Sequence, residues 1–297
     1  MKLIDIGANL MSPSFDRDRD EVIKAAALAG VSPLIITGSS ERSSAEAASY
    51  ACLYNAGNSQ SLFYTAGVHP HEVKNCGKET IDRLRELCRG RTGGRPGAVS
   101  GAVSGEVSGA VNGAVNGAIS GAKAVGECGL DYNRDFSPRD VQRRWFVEQA
   151  ELAAELSLPL FLHERDAFSD FSGILREYAA SVPAVVVHCF TGTGAELEYY
   201  LSLGCYIGIT GWICDERRGI HLTELVKMIP ADRLLLETDA PYLLPRDLPF
   251  KVRNRRNEPK YLPHIAETVA RLLGKGPVQL AEETFANSKR FFGIITA

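Results

Sequence analysis

Eight short apolar runs rich in β-branched residues alternate along this chain with longer segments of helical periodicity, and no other feature restricts its fold so tightly. The runs cover residues 3–6, 33–37, 63–67, 124–128, 160–163, 184–188, 205–208 and 234–238. Helical patterns fall between and after them, at 17–29, 80–88, 138–156, 194–203, 222–229, 263–273 and 278–291. Such alternation predicts parallel strands joined by crossover helices. Eight repeats of the unit suit one α/β architecture, the (β/α)8 TIM barrel.

One stretch interrupts the pattern. Seven glycines recur at strict four-residue spacing from Gly97 to Gly121, in GAVSGAVSGEVSGAVNGAVNGAISGAK. Gly, Ala, Ser and Asn offer too little bulk to bury, so the expectation is an exposed low-complexity insertion over residues 93–123. It would sit within a single barrel domain spanning 1–297. Without the repeat about 270 of the 297 residues remain, close to the ~250 typical of the fold.

Lys and Arg number 33 against 36 Asp and Glu, a formal net charge of -3. That excludes a polybasic coat but leaves nucleic acid open as a substrate, because a bound metal supplies positive charge locally. The seven cysteines contain no CxxC pair and read as reduced, structural thiols of a cytoplasmic or nuclear protein. The N-terminus, MKLIDIGANL, places Asp5 inside its short apolar run, unlike a secretory signal. No window approaches the ~20 apolar residues of a membrane helix. Neither a membrane nor an obligate protein partner is expected.

The polar residues that end the runs carry the chemistry. Asp5 and Asn9 follow the first, His69 and His71 the third, and Glu127, His163, His188 and Asp239 close or follow the fourth, fifth, sixth and eighth. In a (β/α)8 barrel the βα loops surround one cavity at that rim, so catalytic groups converge there. Four of the six histidines occupy it, whereas His221 and His264 fall in helical patterns and read as surface or packing groups. Taken singly, each rim residue is better read as a hydrogen-bonded imidazole or a capping acid. One Glu, two His and one Asp together make a hard to borderline site for a divalent cation: Mg2+, Mn2+ or Zn2+. Such an ion acidifies a bound water, and a bridging Glu holds a second ion about 3.5 to 4 Å away. Hydrolysis is the reaction this predicts.

Longer blocks carry a resemblance. DIGANL, AGVHPHE, GECGLDYNRDFSP, LHERDAF, HCFTGT, YIGITGWICDERRG, ETDAPYLLPRDL and RRNEPKYLPHI resemble, over essentially the whole chain outside the repeat, the TatD family of metal-dependent deoxyribonucleases in the amidohydrolase superfamily. The resemblance implies a barrel of the metal-dependent hydrolase type, one or two divalent ions with Mg2+ foremost, and hydrolysis of phosphodiester bonds in DNA, with RNA as a further candidate. For the TatD-type branch it implies a 3′ to 5′ exonuclease on single strands, and roles in DNA repair and DNA fragmentation are associated with the family. Matched motif by motif, Glu127 resembles the metal-bridging carboxylate, and His163 and His188 the ligands of one ion. Asp239 resembles the carboxylate that binds metal or takes a proton from the attacking water. Many members carry HxH after the first strand, where this chain has Gly7 and Asn9, the form of the TatD-type branch. The second metal site is the one this departure weakens.

His71 is a further catalytic candidate, for protonating the leaving 3′ oxygen, and His69 and Asn9 are candidates for substrate contact. Arg217 and Arg218 in CDERRG, with Arg255 and Arg256 in RNRRNEP, match phosphate geometry bidentately, though a solvated basic loop explains them equally well. Trp212, Tyr132 and Tyr242 offer faces to an unpaired base, while Phe190 reads as packing. Two other functions use the same rim: a deacylase, for example of a D-aminoacyl-tRNA, and a weakly active interaction protein. Absence of a lysine at the end of the fourth run, where many amidases of the superfamily hold a carbamylated bridge, favours the nuclease.

Overall fold

The computed structural model describes residues 1–57, 61–90 and 121–295, so the glycine repeat up to residue 120 lies outside the described residues. All eight expected strands form: β1 (Leu3–Ala8), β2 (Val31–Ile36), β3 (Leu62–Tyr64), β4 (Val125–Asp131), β5 (Leu160–Arg165), β6 (Val185–Val187), β7 (Tyr206–Ile209) and β8 (Leu234–Leu236). They run parallel, in the orders β1-β2-β3 and β4-β5-β6-β7-β8. Single bridges from Ala66 to Val125 and from Ala8 to Ala240 join the two groups at both seams. Lys123 N donates to Tyr64 O at one seam, and Asp239 N donates to Gly7 O at the other. The α/β barrel is therefore present. Ala122 is buried and Lys123 is bonded into the seam, so both belong to the barrel wall rather than to an insertion ending at 123.

The helices are α1 (Arg19–Leu28), α2 (Glu41–Ala56), α3 (Thr80–Cys88), α4 (Arg139–Leu156), α5 (Phe168–Tyr178), α6 (Gly194–Ser202), α7 (Leu222–Leu225), α8 (Leu262–Leu272) and α9 (Pro277–Phe292). Of these, α2 and α5 come in addition to the patterns read from sequence. The buried face of α2 is Ser44, Ala47, Ala48 and Ala51, side chains too small to produce a strong apolar period. Helix α7 is shorter than the expected 222–229 and passes into a 3-10 turn over Val226–Met228. Reciprocal caps, Ser40 with Ser43 and Thr193 with Glu196, satisfy the first amides of α2 and α6.

Alternation along the strands divides their apolar residues into two sets. Ile4, Ile6, Ile35, Phe63, Phe161, Val186, Tyr206 and Leu235 cluster with Ala124, which precedes β4, and with Phe291 and Phe292 of α9. This set is the barrel interior, stoppered at one end by α9. Leu34, Ile36, Leu62, Leu162, Val187 and Leu236 have the other parity and pack in the larger cluster with the helices. Truncating Phe161 to Ala, a fully buried ring of the interior, would cost about 3–5 kcal/mol.

The same parity positions the rim. His163, His188 and Glu237 stand two residues beyond Phe161, Val186 and Leu235, hence one layer higher on the inward face. Glu127 stands three beyond Ala124, and a register shift between Val125 and Cys128 absorbs the extra residue. Among the described residues no helix is long and apolar enough to cross a membrane, and all seven cysteines are free thiols.

Candidate metal centre at the barrel mouth

Three imidazoles converge on one oxygen of Glu127. His188 Nε2 lies 2.7 Å from Oε1, His163 Nδ1 3.1 Å and His69 Nε2 3.4 Å. Burial opposes the charge on Glu127, but His69, His188 and His163 outweigh it and hold the carboxyl well below its usual range.

His188 stands between two buried carboxylates, with Nδ1 3.3 Å from Glu237 Oε2 and Nε2 against Glu127. Burial disfavours its cationic form, yet Glu127 and Glu237 reverse that and raise the imidazole well above its ordinary range. Glu237 is wholly buried, and its Oε1 accepts the Cys189 N–H at 2.6 Å. Within ETDAPYLLP the sequence points to Asp239 and passes over Glu237; the available signal was a charge on the inward parity of an otherwise apolar strand.

His163 presents a buried Nε2 without a hydrogen-bond partner, 3.6 Å from Asp131 Oδ2. A buried imidazole nitrogen calls for a partner, and a ligated cation is one that satisfies it. The donor atoms of His69, Glu127 and His163 all lie within 4.8 Å of one another, so the residues fit a divalent ion. His69 differs from the other two imidazoles. Its Nδ1 accepts the His71 N–H at 3.1 Å, which puts the ring proton on Nε2, facing Glu127. Burial pushes His69 down to about 3, so it stays neutral and acts as a hydrogen-bond donor near neutral pH.

Asp131, at the end of β4, is a residue that the sequence analysis missed. It lies four positions after Glu127 and so on the same side of the strand. Its Oδ2 is 2.6 Å from His71 Nε2, while Oδ1 accepts the N–H groups of Asn133 and Arg134. Burial opposes its ionisation, but His163, His71 and the Arg134 amide hold it well below the usual carboxylate range.

Asp239 is in the left-handed region (φ 53°), and its Oδ1 accepts Asn9 Nδ2 at 2.8 Å. Burial pushes its carboxyl up to about 8, against the pull of His188. A Cβ on Gly7 would lie 2.4 Å from Glu237 Oε2 and 3.2 Å from Phe161. The GxN form thus has a packing cause, since Glu237 fills the space that a first-strand histidine needs.

The outer candidates divide. Arg217 is exposed, 3.9 Å from Asp215, and Arg218 lies over the Trp212 ring at 5.9 Å. Trp212 is half-buried and packs on the core. Arg256 is engaged: it donates to Asp18, Glu258 and Ser14 O and covers Phe15, which makes it a tether between loops instead of a phosphate clamp. Tyr132 donates to Asp170 at 2.7 Å and has Arg139 over its ring at 4.3 Å, so both its hydroxyl and one face are occupied. Phe190 is buried, as expected. Tyr242 is exposed, as is Phe136, unmarked in the sequence analysis, whose ring meets His71 edge-on at 4.7 Å.

Comparison with known proteins bears on this site. Residues 4–293 match the TatD related DNase family. The chain is 44% identical over 292 residues to the 3′-5′ ssDNA/RNA exonuclease TatD of Rahnella sp. (strain Y9602), covering 98% of each chain. Identity to the protein of the same name from Escherichia coli (strain K12) is also 44%, over 98% of this chain and 99% of that one. Among solved structures, a hydrolase TatD family protein from Entamoeba histolytica matches with a TM-score of 0.81 at 27% identity, covering 98% of both chains. The TatD homologue YjjV of Escherichia coli K12 matches with a TM-score of 0.80 at 23% identity, covering 99% of this chain and 98% of its own.

Proposed function

The chain belongs to the TatD family of DNases, and from that premise we propose that it is a divalent-metal-dependent exonuclease, removing nucleotides from the 3′ end of single-stranded DNA and of RNA. The observation that carries this reading is the convergence of His163 and His188 on Glu127, with a buried His163 nitrogen that has no hydrogen-bond partner. Glu127, His163, His188 and Asp239 hold the cation, for which the oxygen and imidazole donors make magnesium our choice. When bound, it polarises a phosphoryl oxygen and acidifies a water.

The chain's own groups do the rest. His69 donates its Nε2–H toward the phosphate. Asp239, oriented by Asn9, takes a proton from the attacking water. His71, braced at Nε2 by Asp131, uses Nδ1 to give a proton to the leaving 3′ oxygen. Phe136 and Tyr242 stack on terminal bases, and Arg217 and Arg218 steer phosphates. Residues 91–120 are an insertion in a single barrel domain, apart from the chemistry.

Incubation of the purified protein with 5′-labelled single-stranded DNA tests this. With Mg2+ the products should shorten progressively from the 3′ end, with EDTA no cleavage should occur, and Glu127→Gln should be slower by a factor on the order of 10². Cleavage that survives EDTA, or an unaltered rate in the variant, would overturn the mechanism. Cutting of a circular single strand would make the enzyme an endonuclease.

A further inference from the structure

A second cluster lies away from Glu127, where the loops after β7 and β8 meet α8. A 3-10 turn, Gly211–Cys214, buries Cys214, Asp247 belongs to the segment after β8, and His264 is in the first turn of α8. His264 Nε2 lies 2.6 Å from Asp247 Oδ1. The three donor atoms of Cys214, Asp247 and His264 lie within 4.8 Å of one another. The Asp247 side chain is 44% exposed and that of His264 22%, while Cys214 is buried.

We propose that Cys214, Asp247 and His264 form a second metal site, one that takes zinc and that magnesium does not fill. A thiolate, an imidazole and a carboxylate are a borderline-soft donor set that suits Zn2+, whereas Mg2+ demands oxygen ligands. Neighbouring donors in a tetrahedral zinc site stand about 3.4 Å apart, given metal–ligand bonds of about 2.0–2.3 Å. The His264–Asp247 contact therefore opens slightly and the sulfur draws in, changes that the exposed Asp247 side chain can accommodate. Three protein ligands leave a fourth position for water. Binding releases the thiol proton to solvent, and the proton between His264 and Asp247 moves to Nδ1 of the ring, leaving its place to the cation. A coordinating Zn2+ deprotonates a thiol outright.

The consequence is local. Cys214 directly precedes Asp215, which holds the Arg217 and Arg218 amides, and follows Trp212 by two positions. Zinc here clips the rim loop after β7 to α8.

Cobalt, which reports sulfur ligation by its colour, tests the proposal on full-length protein stripped with chelator and held in excess Mg2+. A sulfur-to-cobalt charge-transfer band should grow to one equivalent of Co2+, vanish in Cys214→Ser, and persist in Cys189→Ser, whose thiol lies beside the barrel mouth. His264→Ala and Asp247→Asn, changes at accessible side chains, should each weaken Co2+ binding at least ~10-fold. Zn2+ should raise the Tm of the Mg2+-saturated wild type but not of His264→Ala. No band, a band that survives Cys214→Ser, one lost with Cys189→Ser, or unchanged affinity in both His264→Ala and Asp247→Asn would overturn the site.

Discussion

Glu237 Oε2 faces His188 Nδ1 at 3.3 Å while Glu237 Oε1 takes the Cys189 amide, so one wholly buried carboxylate orients both the imidazole and the backbone that bears it. Carboxylate partners of this kind fix the tautomer of a ligating histidine and raise its basicity. Glu237→Gln keeps the shape and removes the charge. Divalent-cation affinity, measured by calorimetric titration, should fall about 10- to 100-fold while the Tm of the metal-free protein changes little. Equal affinity in the two proteins would deny Glu237 any part in orienting the ligand.

Restoring a histidine at the first strand should fail. A Cβ at Gly7 already lies 2.4 Å from Glu237 Oε2, so Gly7→His must displace a buried carboxylate and crowd Phe161. Overpacking of this sort costs about 1–3 kcal/mol. The variant should melt lower and bind no additional ion, as read by scanning calorimetry and metal analysis. An added equivalent of metal at unchanged Tm would show that Glu237 yields its place easily.

His71 and Asp131 should behave as a unit, because the 2.6 Å contact between them sets which ring nitrogen faces the substrate. His71→Ala should lower kcat about 10²- to 10⁴-fold with little change in KM, and Asp131→Asn should lower kcat while leaving a measurable residue. A double variant no slower than His71→Ala is expected from coupling. Additive losses would separate the two roles, as Asp131 also lies near His163.

The strands and four rim residues were legible because both follow from short-range rules: β-rich apolar runs mark strands, and a charge that ends such a run lies at the rim. Glu237 was harder to see, being inside a motif in which Asp239 more plainly follows the end of the apolar run. The surroundings of Arg256 and Tyr132 were not legible for a different reason. Their partners, Asp18 and Asp170, are 238 and 38 positions away, so whether the guanidinium and the hydroxyl are free for a substrate depends on tertiary pairing. Small-residue helices such as α2 escape because Ala and Ser give periodicity little amplitude.

Asp5 should make stability fall as pH rises. It is wholly buried at the β1–β8 seam and accepts Thr238 N at 2.9 Å, Thr238 Oγ1 at 2.5 Å and Gly7 N at 3.3 Å. Burial outweighs those bonds and pushes the carboxyl up to about 7. Unfolded, it titrates near the ordinary value of about 4, so between about 4 and 7 the folded chain holds a proton that the unfolded chain has lost. The stabilising contribution is full below about 4 and disappears as pH passes 7. Asp5→Asn keeps the shape and neutrality of the protonated acid and cannot titrate. Urea midpoints of the wild type should therefore drop relative to the variant over that window. A difference independent of pH would return Asp5 to an ordinary titration.

Removal of residues 91–120 should leave the enzyme working. A Cβ on Gly121 would meet Cys88 O at 2.1 Å and Gly90 N at 3.2 Å, so the flanking ends already touch and a two- or three-residue turn can join them. Closing the same ends with a chain ten times shorter lowers the entropy of closure by up to about 2 kcal/mol, so stability should hold or rise. Ala122 and Lys123 must be retained, since the first is buried and the second donates to Tyr64 O in the β3–β4 seam. Cleavage of single-stranded DNA by the shortened protein should match the parent within about twofold, whereas a further deletion through Lys123 should lower the Tm. A large loss of cleavage in the first deletion, with the Tm intact, would give the glycine repeat a part in substrate handling.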